Sequence, residues 1–205
     1  MFTLTALALA CSAASAQQTA SVAVTGNITP SGCTASLSNK GKFDLGVFYE
    51  NSLSSSDSTN VVTDGTKATF NILCPAAAQV AWRIKDNRPA SQYGPSSDAW
   101  FGLGTDDDGH QIGAYALWMS RPTLDGGAAY VLESTDNGSN WSPIRIANIK
   151  DSRLYTYSKT GKGPDKGSSF NVDINLLARI APTSQLNTSS VTDMDGSATI
   201  SFVYL

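Results

Sequence analysis

The sequence closes on an alternating stretch, Gly196-Ser197-Ala198-Thr199-Ile200-Ser201-Phe202-Val203-Tyr204-Leu205. In an extended chain, successive side chains point to opposite faces, so residues at every second position share a face. Those residues here are Gly196, Ala198, Ile200, Phe202 and Tyr204. The pattern predicts a β-strand with one apolar face. Such a strand needs a neighbour for its unpaired backbone N–H and C=O groups.

A second alternating segment lies near the start of the sequence. It places Val22, Val24, Gly26 and Ile28 at every second position, shortly before Cys33. A free arm with one apolar face would fit beside a strand whose edge is open. The two segments together therefore predict assembly by strand exchange.

Composition limits the classes of function. The 205 residues are 41% hydrophobic and only 15% charged, with a net charge of −3. This length predicts a single domain, and the low charge is typical of extracellular β proteins. Because the chain has no basic excess, we expect no nucleic-acid partner.

Residues 1–16 have the pattern of an export signal. An apolar run over 4–10 precedes Ala14-Ser15-Ala16, a small-residue cleavage pattern before Gln17. The run is too short to span a bilayer. No Lys or Arg precedes it, so a start further upstream stays open. Lipid attachment at Cys11 is the alternative, and the cleavage site after Ala16 fits better.

Removal of the leader leaves two cysteines, Cys33 and Cys74. In an oxidising compartment an even pair predicts a disulfide, with two buried free thiols as the alternative. Closing a loop of roughly 40 residues would stabilise the fold by about 4 kcal/mol. No Cys/His cluster is present, so we expect no metal site and no cofactor.

Strand and turn signals fill the rest of the chain. The longest alternation runs over 170–180, and Asp125-Gly126-Gly127 is typical of a hairpin turn. No helical periodicity of useful length is present. The pattern predicts an all-β sandwich or barrel. The other predicted strand and apolar segments are 34–37, 43–48, 67–74, 79–85, 112–120, 128–134, 142–149 and 154–157.

Three features together resemble a chaperone–usher pilus subunit. They are Val24-Thr25-Gly26-Asn27-Ile28 followed by Pro30 and Cys33, a second cysteine about forty residues later, and a last strand with a penultimate tyrosine, Tyr204. The resemblance implies an immunoglobulin-like, pilin-type β-sandwich that lacks its final strand. A groove beside the last strand then accepts the arm of another subunit by β-augmentation.

The resemblance also assigns roles and partners. Residues 17–32 would be the donor arm, with Val22, Val24, Gly26 and Ile28 entering the groove, and 33–205 would be the domain. Gly196, Ala198, Ile200, Phe202 and Tyr204 would line the acceptor strand. The implied partners are a periplasmic chaperone, an outer-membrane usher and other pilus subunits, and the chain would pass through the periplasm to the cell surface. Fold-back of the arm on its own domain stays open.

The middle of the chain resembles a bacterial family of unknown function that is linked to fimbrial gene clusters. The segments that carry this resemblance are Trp82-Arg83-Ile84-Lys85-Asp86-Asn87-Arg88, Phe101-Gly102-Leu103-Gly104 and Ser134-Thr135-Asp136-Asn137-Gly138. Residues from about 87 to 141 exceed a minimal pilin, and we expect them to form an enlarged central insertion.

Aromatic residues in this insertion suggest an alternative function. Trp100 and Trp141 lie close to Asp or Asn residues, and together with Trp118 they would suit stacking on sugar rings, which is typical of a secreted carbohydrate-binding or adhesin module. Their more ordinary role is in the core of an enlarged sheet. A host or surface glycan is therefore the alternative partner.

No enzymatic activity is expected. The segment Ser134-Thr135-Asp136-Asn137-Gly138-Ser139-Asn140-Trp141 is similar to the Asp-box of sialidases, with Asn140 in place of Thr. One copy does not make a propeller, and the motif itself predicts a structural hairpin. His110, the only histidine, follows three aspartates in a turn-rich loop that fails the calcium-loop pattern.

Overall fold

A computed structural model describes residues 32–62, 66–144 and 148–205. This part of the chain forms two antiparallel sheets, and the prediction of an all-β sandwich is confirmed. The strands are β1 Thr34–Leu37, β2 Thr59–Val61, β3 Lys67–Ala78, β4 Val80–Asp86, β5 Phe101–Gly102, β6 Gly113–Leu124, β7 Gly127–Ala128, β8 Tyr130–Ser134, β9 Ser142–Ile144, β10 Asn148–Ile149, β11 Leu154–Ser158, β12 Gly167–Ile180 and β13 Ala198–Tyr204.

Helical structure in the described residues is limited to short 3-10 turns. They span Ser38–Gly41, Glu50–Ser52, Pro89–Ser91 and Thr183–Gln185. None of the described helices is both long and apolar enough to cross a membrane.

The first sheet has the strand order β1-β3-β12-β6-β10, and the short strands β2, β5 and β7 pair with β12 or β6. The first four of these strands follow the order A-B-E-D of an immunoglobulin sandwich. The alternation over 170–180 forms the centre of β12, where Phe170, Val172 and Ile174 are all at most 1% exposed. The sequence prediction for this strand is confirmed.

The second sheet has the strand order β13-β4-β11-β8-β9. β13 pairs with β4 from Ala198↔Asp86 to Tyr204↔Val80. β4 and β13 thus take the places of immunoglobulin strands C and F, and strand G would lie beyond β13. No strand of the described part of the chain occupies that place.

Aromatic rings fill the core between the sheets. The Trp82 ring lies 5.2 Å from Phe70 and 5.0 Å from Tyr155, and Tyr157 lies 5.4 Å from Phe170. Offset and edge-on ring pairs of this kind add to the free energy gained by burying apolar area. The Phe70–Trp82 and Tyr157–Phe170 pairs each join a strand of the first sheet to a strand of the second.

The predicted disulfide between Cys33 and Cys74 is present. It fastens the start of β1 to β3, and the two strands pair from Thr34↔Leu73 to Leu37↔Phe70. The first strand is therefore fixed at the edge of the first sheet.

Several elements differ from the sequence prediction. Residues 43–48 form no strand and run as irregular chain. β2, Thr59–Val61, lies outside every predicted strand segment. Residues 87–141 contribute β5, β6 and β7 to the first sheet and β8 to the second, so this segment is part of both sheets.

Candidate functional site

The inward face of β13 is incompletely covered. On the neighbouring strand β4, Val80, Trp82 and Ile84 are 0%, 0% and 2% exposed. Their partners across the ladder are Tyr204, Phe202 and Ile200. Phe202 and Ile200 are only half-buried, and Tyr204 is 55% exposed. The core-facing side chains are thus fully covered on β4 and only partly covered on β13.

A groove with a volume of about 1070 Å³ lies along this open face. It is bounded by β13 and its approach on one side and by residues 41–50, which follow β1, on the other. Its volume matches the upper end of the range for pockets that bury a whole ligand. The groove is therefore large enough for an extended peptide.

The floor of the groove is apolar. It is formed by Leu117 of β6, Ile174 and Leu176 of β12, and Ile84 of β4, and these side chains are at most 5% exposed. An occupant that presents apolar side chains to this floor would gain roughly 1.5–3 kcal/mol for each one fully buried. None of these four floor residues is charged, so the floor favours apolar groups.

The first wall, residues 41–50, lies over the edge of the first sheet. Leu45 is buried, and Phe43 and Phe48 pack partly against the core. Gly46 takes a φ of 78°, and its N–H donates to Asp44 Oδ1 at 2.9 Å. This local turn explains why the apolar segment does not continue as a strand.

The second wall is the segment that leads into β13, residues 186–197. Asp106 accepts the backbone N–H of Asn187 at 2.7 Å, and Asp195 forms an ion pair with Arg88 at 2.6 Å. The Asp195 N–H also donates to the Leu103 carbonyl at 3.1 Å. Polar contacts hold this wall at both ends.

The Asp106 carboxylate has an unusual environment. Burial alone would raise its pKa, but the N–H groups of Asn187 and His110 and the imidazole of His110 lower the pKa to about 2. His110 Nδ1 lies 3.0 Å from Asp106 Oδ2. The carboxylate therefore stays ionised and joins the loop after β5 to the second wall.

Two contacts lie beyond the residues that line the groove, towards opposite ends of β13. At one end the Cys33 N–H donates to the Tyr204 hydroxyl at 2.5 Å, which joins the start of β1 to the end of β13. At the other end the Thr183 N–H donates to the Ser54 carbonyl at 3.0 Å. We call these the disulfide end and the far end.

Three of the predicted acceptor residues, Gly196, Ala198 and Ile200, line this groove, and Phe202 and Tyr204 continue the same strand beyond it. Ala198, Ile200, Phe202 and Tyr204 lie in β13 on the core-facing side, as the register with β4 shows. Gly196 precedes the strand, and a Cβ added there would lie 2.7 Å from Tyr115 Cε1. The predicted donor residues Val22, Val24, Gly26 and Ile28 lie outside the described residues.

The structure places the three predicted glycan-contacting tryptophans on different elements. Trp100 precedes β5, and the Arg179 guanidinium lies 4.2 Å from its ring. Trp118 lies within β6 and Trp141 precedes β9, and both are half-buried. In the described part of the chain no ring contact joins any two of the three.

The Asp-box-like segment forms a tight turn between β8 and β9. Asp136 accepts the backbone and side-chain N–H groups of Asn140 at 2.9 and 2.7 Å, and these bonds lower its pKa to about 2. Gly138 takes a φ of 90°, and its N–H donates to Ser134 Oγ at 2.8 Å. Every polar group named here serves the turn itself.

His110 likewise has a structural partner in Asp106. Within the described ranges, no group of three or more His, Cys, Asp or Glu residues is arranged to hold a metal.

Sequence reasoning missed the walls of the groove. Asp106, Asn187 and Asp195 carried no motif, because their partners lie far away in the chain. The apolar residues between 43 and 48 gave the only signal for the first wall, and they indicated a core segment.

Comparisons with known proteins agree with part of the sequence analysis. Residues 22–99 match the family described as "Protein of unknown function (DUF1120)". This range includes the arm pattern, both cysteines and strands β1 to β4. The match confirms in part the predicted resemblance to a family of unknown function. It covers the segment from Trp82 to Arg88, and the other two segments behind that prediction lie outside it.

Two curated proteins of Escherichia coli K12 are similar over most of their length. Protein GltF is 26% identical, with 89% of this chain and 87% of that protein aligned. Uncharacterized protein YhcF is 25% identical, with 94% of this chain and 93% of that protein aligned.

Proposed function

We propose that this protein is an exported structural subunit of a chaperone–usher pilus. Its groove along β13 would receive the N-terminal arm of another subunit, which completes the sandwich by donor-strand complementation. A periplasmic chaperone would hold the groove before assembly, and an outer-membrane usher would direct subunits to the cell surface, where the pilus serves adhesion.

The observation that carries this proposal is the open strand β13. Its outer edge meets no strand in the described residues, and its core-facing side chains are only half-buried. An edge strand with an apolar face is an aggregation hazard that proteins normally cover. A strand added beside β13 would bond this edge and cover the groove floor in one step.

The arm pattern fits the groove in length and chemistry. β13 spans seven residues, and the alternating positions from Val22 to Ile28 also span seven. Both extend over about 23 Å in a strand. The arm between Gln17 and Pro30 carries no charged residue, which suits the uncharged floor of the groove.

Assembly of the mature chain, residues 17–205, tests the proposal. Ile200→Asp places a charge on the groove face, and Ser201→Asp places the same charge on the opposite, exposed face of β13. Val24→Asp and Thr25→Asp form the same pair on the arm. We expect Ile200→Asp and Val24→Asp to abolish oligomers in analytical ultracentrifugation, while the two controls assemble as the parent does.

A purified mature chain that assembles equally well with and without these charges would refute the proposal. A synthetic peptide of residues 17–30 gives an independent measurement. It should raise the Tm of a chain beginning at residue 32, and it should leave the Tm of that chain carrying Ile200→Asp unchanged.

A further inference from the structure

The exposed apolar side chains of the described residues are concentrated at the two ends of the groove. Three lie at the far end: Val47 and Tyr49 on the first wall, and Val191 on the second, which are 81%, 73% and 93% exposed. We call this set the lip. An exposed apolar cluster beside a groove is typical of an interaction surface.

The position of the lip follows from the anchoring contacts. Val191 lies between Asn187, which is bound to Asp106, and Asp195, which is bound to Arg88 and Leu103. Val47 and Tyr49 shortly precede Ser54, whose carbonyl accepts the Thr183 N–H. These contacts all lie at the end of the sandwich where β12 finishes and β13 begins.

A second apolar set lies at the disulfide end, on segments next to the start of β1. Leu73, Tyr204 and Leu205 are 54%, 55% and 47% exposed. Leu73 is the cross-strand partner of Thr34, and the Tyr204 hydroxyl accepts the Cys33 N–H. We call this set the base. It lies next to the point where the arm joins the domain.

The short linker between arm and domain restricts where a donating copy lies. Only four residues separate Ile28 from Cys33. An extended chain of this length reaches roughly 17 Å. A copy whose arm fills the groove of a neighbour must therefore place its own Cys33, and with it its base, beside one end of that groove.

Strand direction decides which end this is. All the strand ladders in both sheets are antiparallel, and strand G of an immunoglobulin sandwich runs antiparallel to strand F. An antiparallel arm puts Val22 near Tyr204 and Ile28 near Ala198. The donating domain then emerges at the far end, beside the lip.

We infer that the lip of one copy binds the base of the next copy, as a second contact in addition to the arm. This inference rests on the proposed function, because the arm brings the two surfaces together. The contact joins different patches on the two copies, so it repeats head to tail and builds an open filament. The tether raises the effective concentration of the two surfaces to about millimolar, so three apolar side chains on each copy suffice.

Site-specific photocrosslinking of assembled mature protein tests the contact. The photoreactive residue p-benzoylphenylalanine replaces Tyr49 in the lip or, as control, Tyr130, which is similarly exposed at 53% and lies on β8. Mixed isotope-labelled and unlabelled copies distinguish crosslinks between copies by mass spectrometry. We expect at least tenfold more crosslinked dimer from position 49, joined to peptides that contain Leu73, Tyr204 or Leu205.

Val191→Asp provides a second measurement. Because Val191 is 93% exposed, the substitution leaves the fold intact. We expect the dissociation constant of assembly to rise about tenfold, and the yield of dimer crosslinked from position 49 to fall with it. Val62→Asp, at a side chain that is 64% exposed and does not line the groove, serves as control and should change neither quantity.

The outcomes separate this inference from the proposed function. Crosslinks from position 49 that reach the base support it. Suppose that Ile200→Asp still abolishes assembly, but that position 49 crosslinks to other surfaces or gives no more crosslinked dimer than position 130. This result would overturn the lip–base contact and leave donor-strand assembly standing. Assemblies that survive Ile200→Asp would overturn both, and a parent protein that stays monomeric would overturn the pairing of identical copies.

Discussion

Asp106 fixes a wall of the groove that lies far from it in sequence. Its side chain is fully buried, and it accepts N–H groups from Asp108, His110 and Asn187, the last of which is 81 residues away. Charge-assisted bonds of this kind are stronger than bonds between neutral groups. The geometry explains how a segment with few apolar contacts keeps its position.

Replacement of Asp106 by Asn should lower the Tm in a pH-dependent way. The folded state lowers the pKa of Asp106 from 3.8 to about 2, so its stabilising effect is complete above pH 4 or so and disappears as the pH falls through 2. We expect a Tm difference between parent and Asp106→Asn at pH 6 that narrows below pH 4 in calorimetric scans.

Asp107→Asn is the matched control, because Asp107 is exposed and accepts a single weak hydrogen bond from the described residues, from the Ser190 hydroxyl at 3.3 Å. It should change the Tm little at any pH. Equal losses for the two variants, or a constant loss down to pH 2, would show that Asp106 does not hold the wall.

At the scale of elements, β4 and β13 are neighbours with the same pattern and different burial. Ile84 and Ile200 face each other across the ladder, yet Ile84 is 2% exposed and Ile200 is half-buried. The difference arises because, among the described strands, β4 has a neighbour on both sides and β13 has a neighbour on one side. Alternation in sequence therefore reports which face is apolar and does not report whether that face is covered.

Alanine substitution of Ile84 and of Ile200 should measure how completely each side chain is buried. In a chain beginning at residue 32, Ile84→Ala should lower the free energy of unfolding by 2–5 kcal/mol, roughly the usual range for a buried site. Ile200→Ala should cost roughly 1 kcal/mol, because its side chain is only partly buried in this chain.

The cost of Ile200→Ala should then rise towards that of Ile84→Ala when saturating arm peptide is present, since the peptide completes the burial of Ile200. Urea denaturation with and without the peptide provides the measurement. A cost for Ile200→Ala that is the same in both conditions would argue that the peptide does not enter beside β13.

At the scale of the whole molecule, the disulfide positions one side of the groove. Cys33 and Cys74 fasten β1 to β3, and residues 41–50 follow directly from β1. The bond therefore acts on stability through chain entropy and on the groove through the placement of its first wall.

Removal of the disulfide should affect both properties. Cys33→Ser with Cys74→Ser should lower the free energy of unfolding by about 4 kcal/mol, as expected for a loop of this length, and should weaken binding of the arm peptide. Urea denaturation and calorimetric titration measure the two effects. The parent protein under reducing conditions should behave like the double variant; a variant as stable as the oxidised parent would contradict this account.

How much of the structure can be predicted from the sequence depends on whether a feature is carried by its own residues or by partners far away in the chain. β12 and β13 carry their periodicity within their own residues, and the pair of cysteines carries the disulfide, so these features were predictable. β2 could not be predicted, because it has only three residues, two of them polar, and it forms by pairing with the end of β12. The walls of the groove depend on partners such as Asp106 and Asn187, and only the folded chain brings these together.

The outer edge of β13, which meets no strand in the described residues, also has a consequence for the order of events before assembly. Backbone hydrogen bonds do not depend on side-chain identity. After the chain folds and before its partner binds, many flexible segments with alternating apolar residues could therefore compete for the place beside β13. Because differences in affinity among similar complexes lie mostly in how slowly they dissociate, an early wrong occupant would stay long. A chaperone that binds the newly folded chain would then prevent early pairing with the wrong segment as well as aggregation.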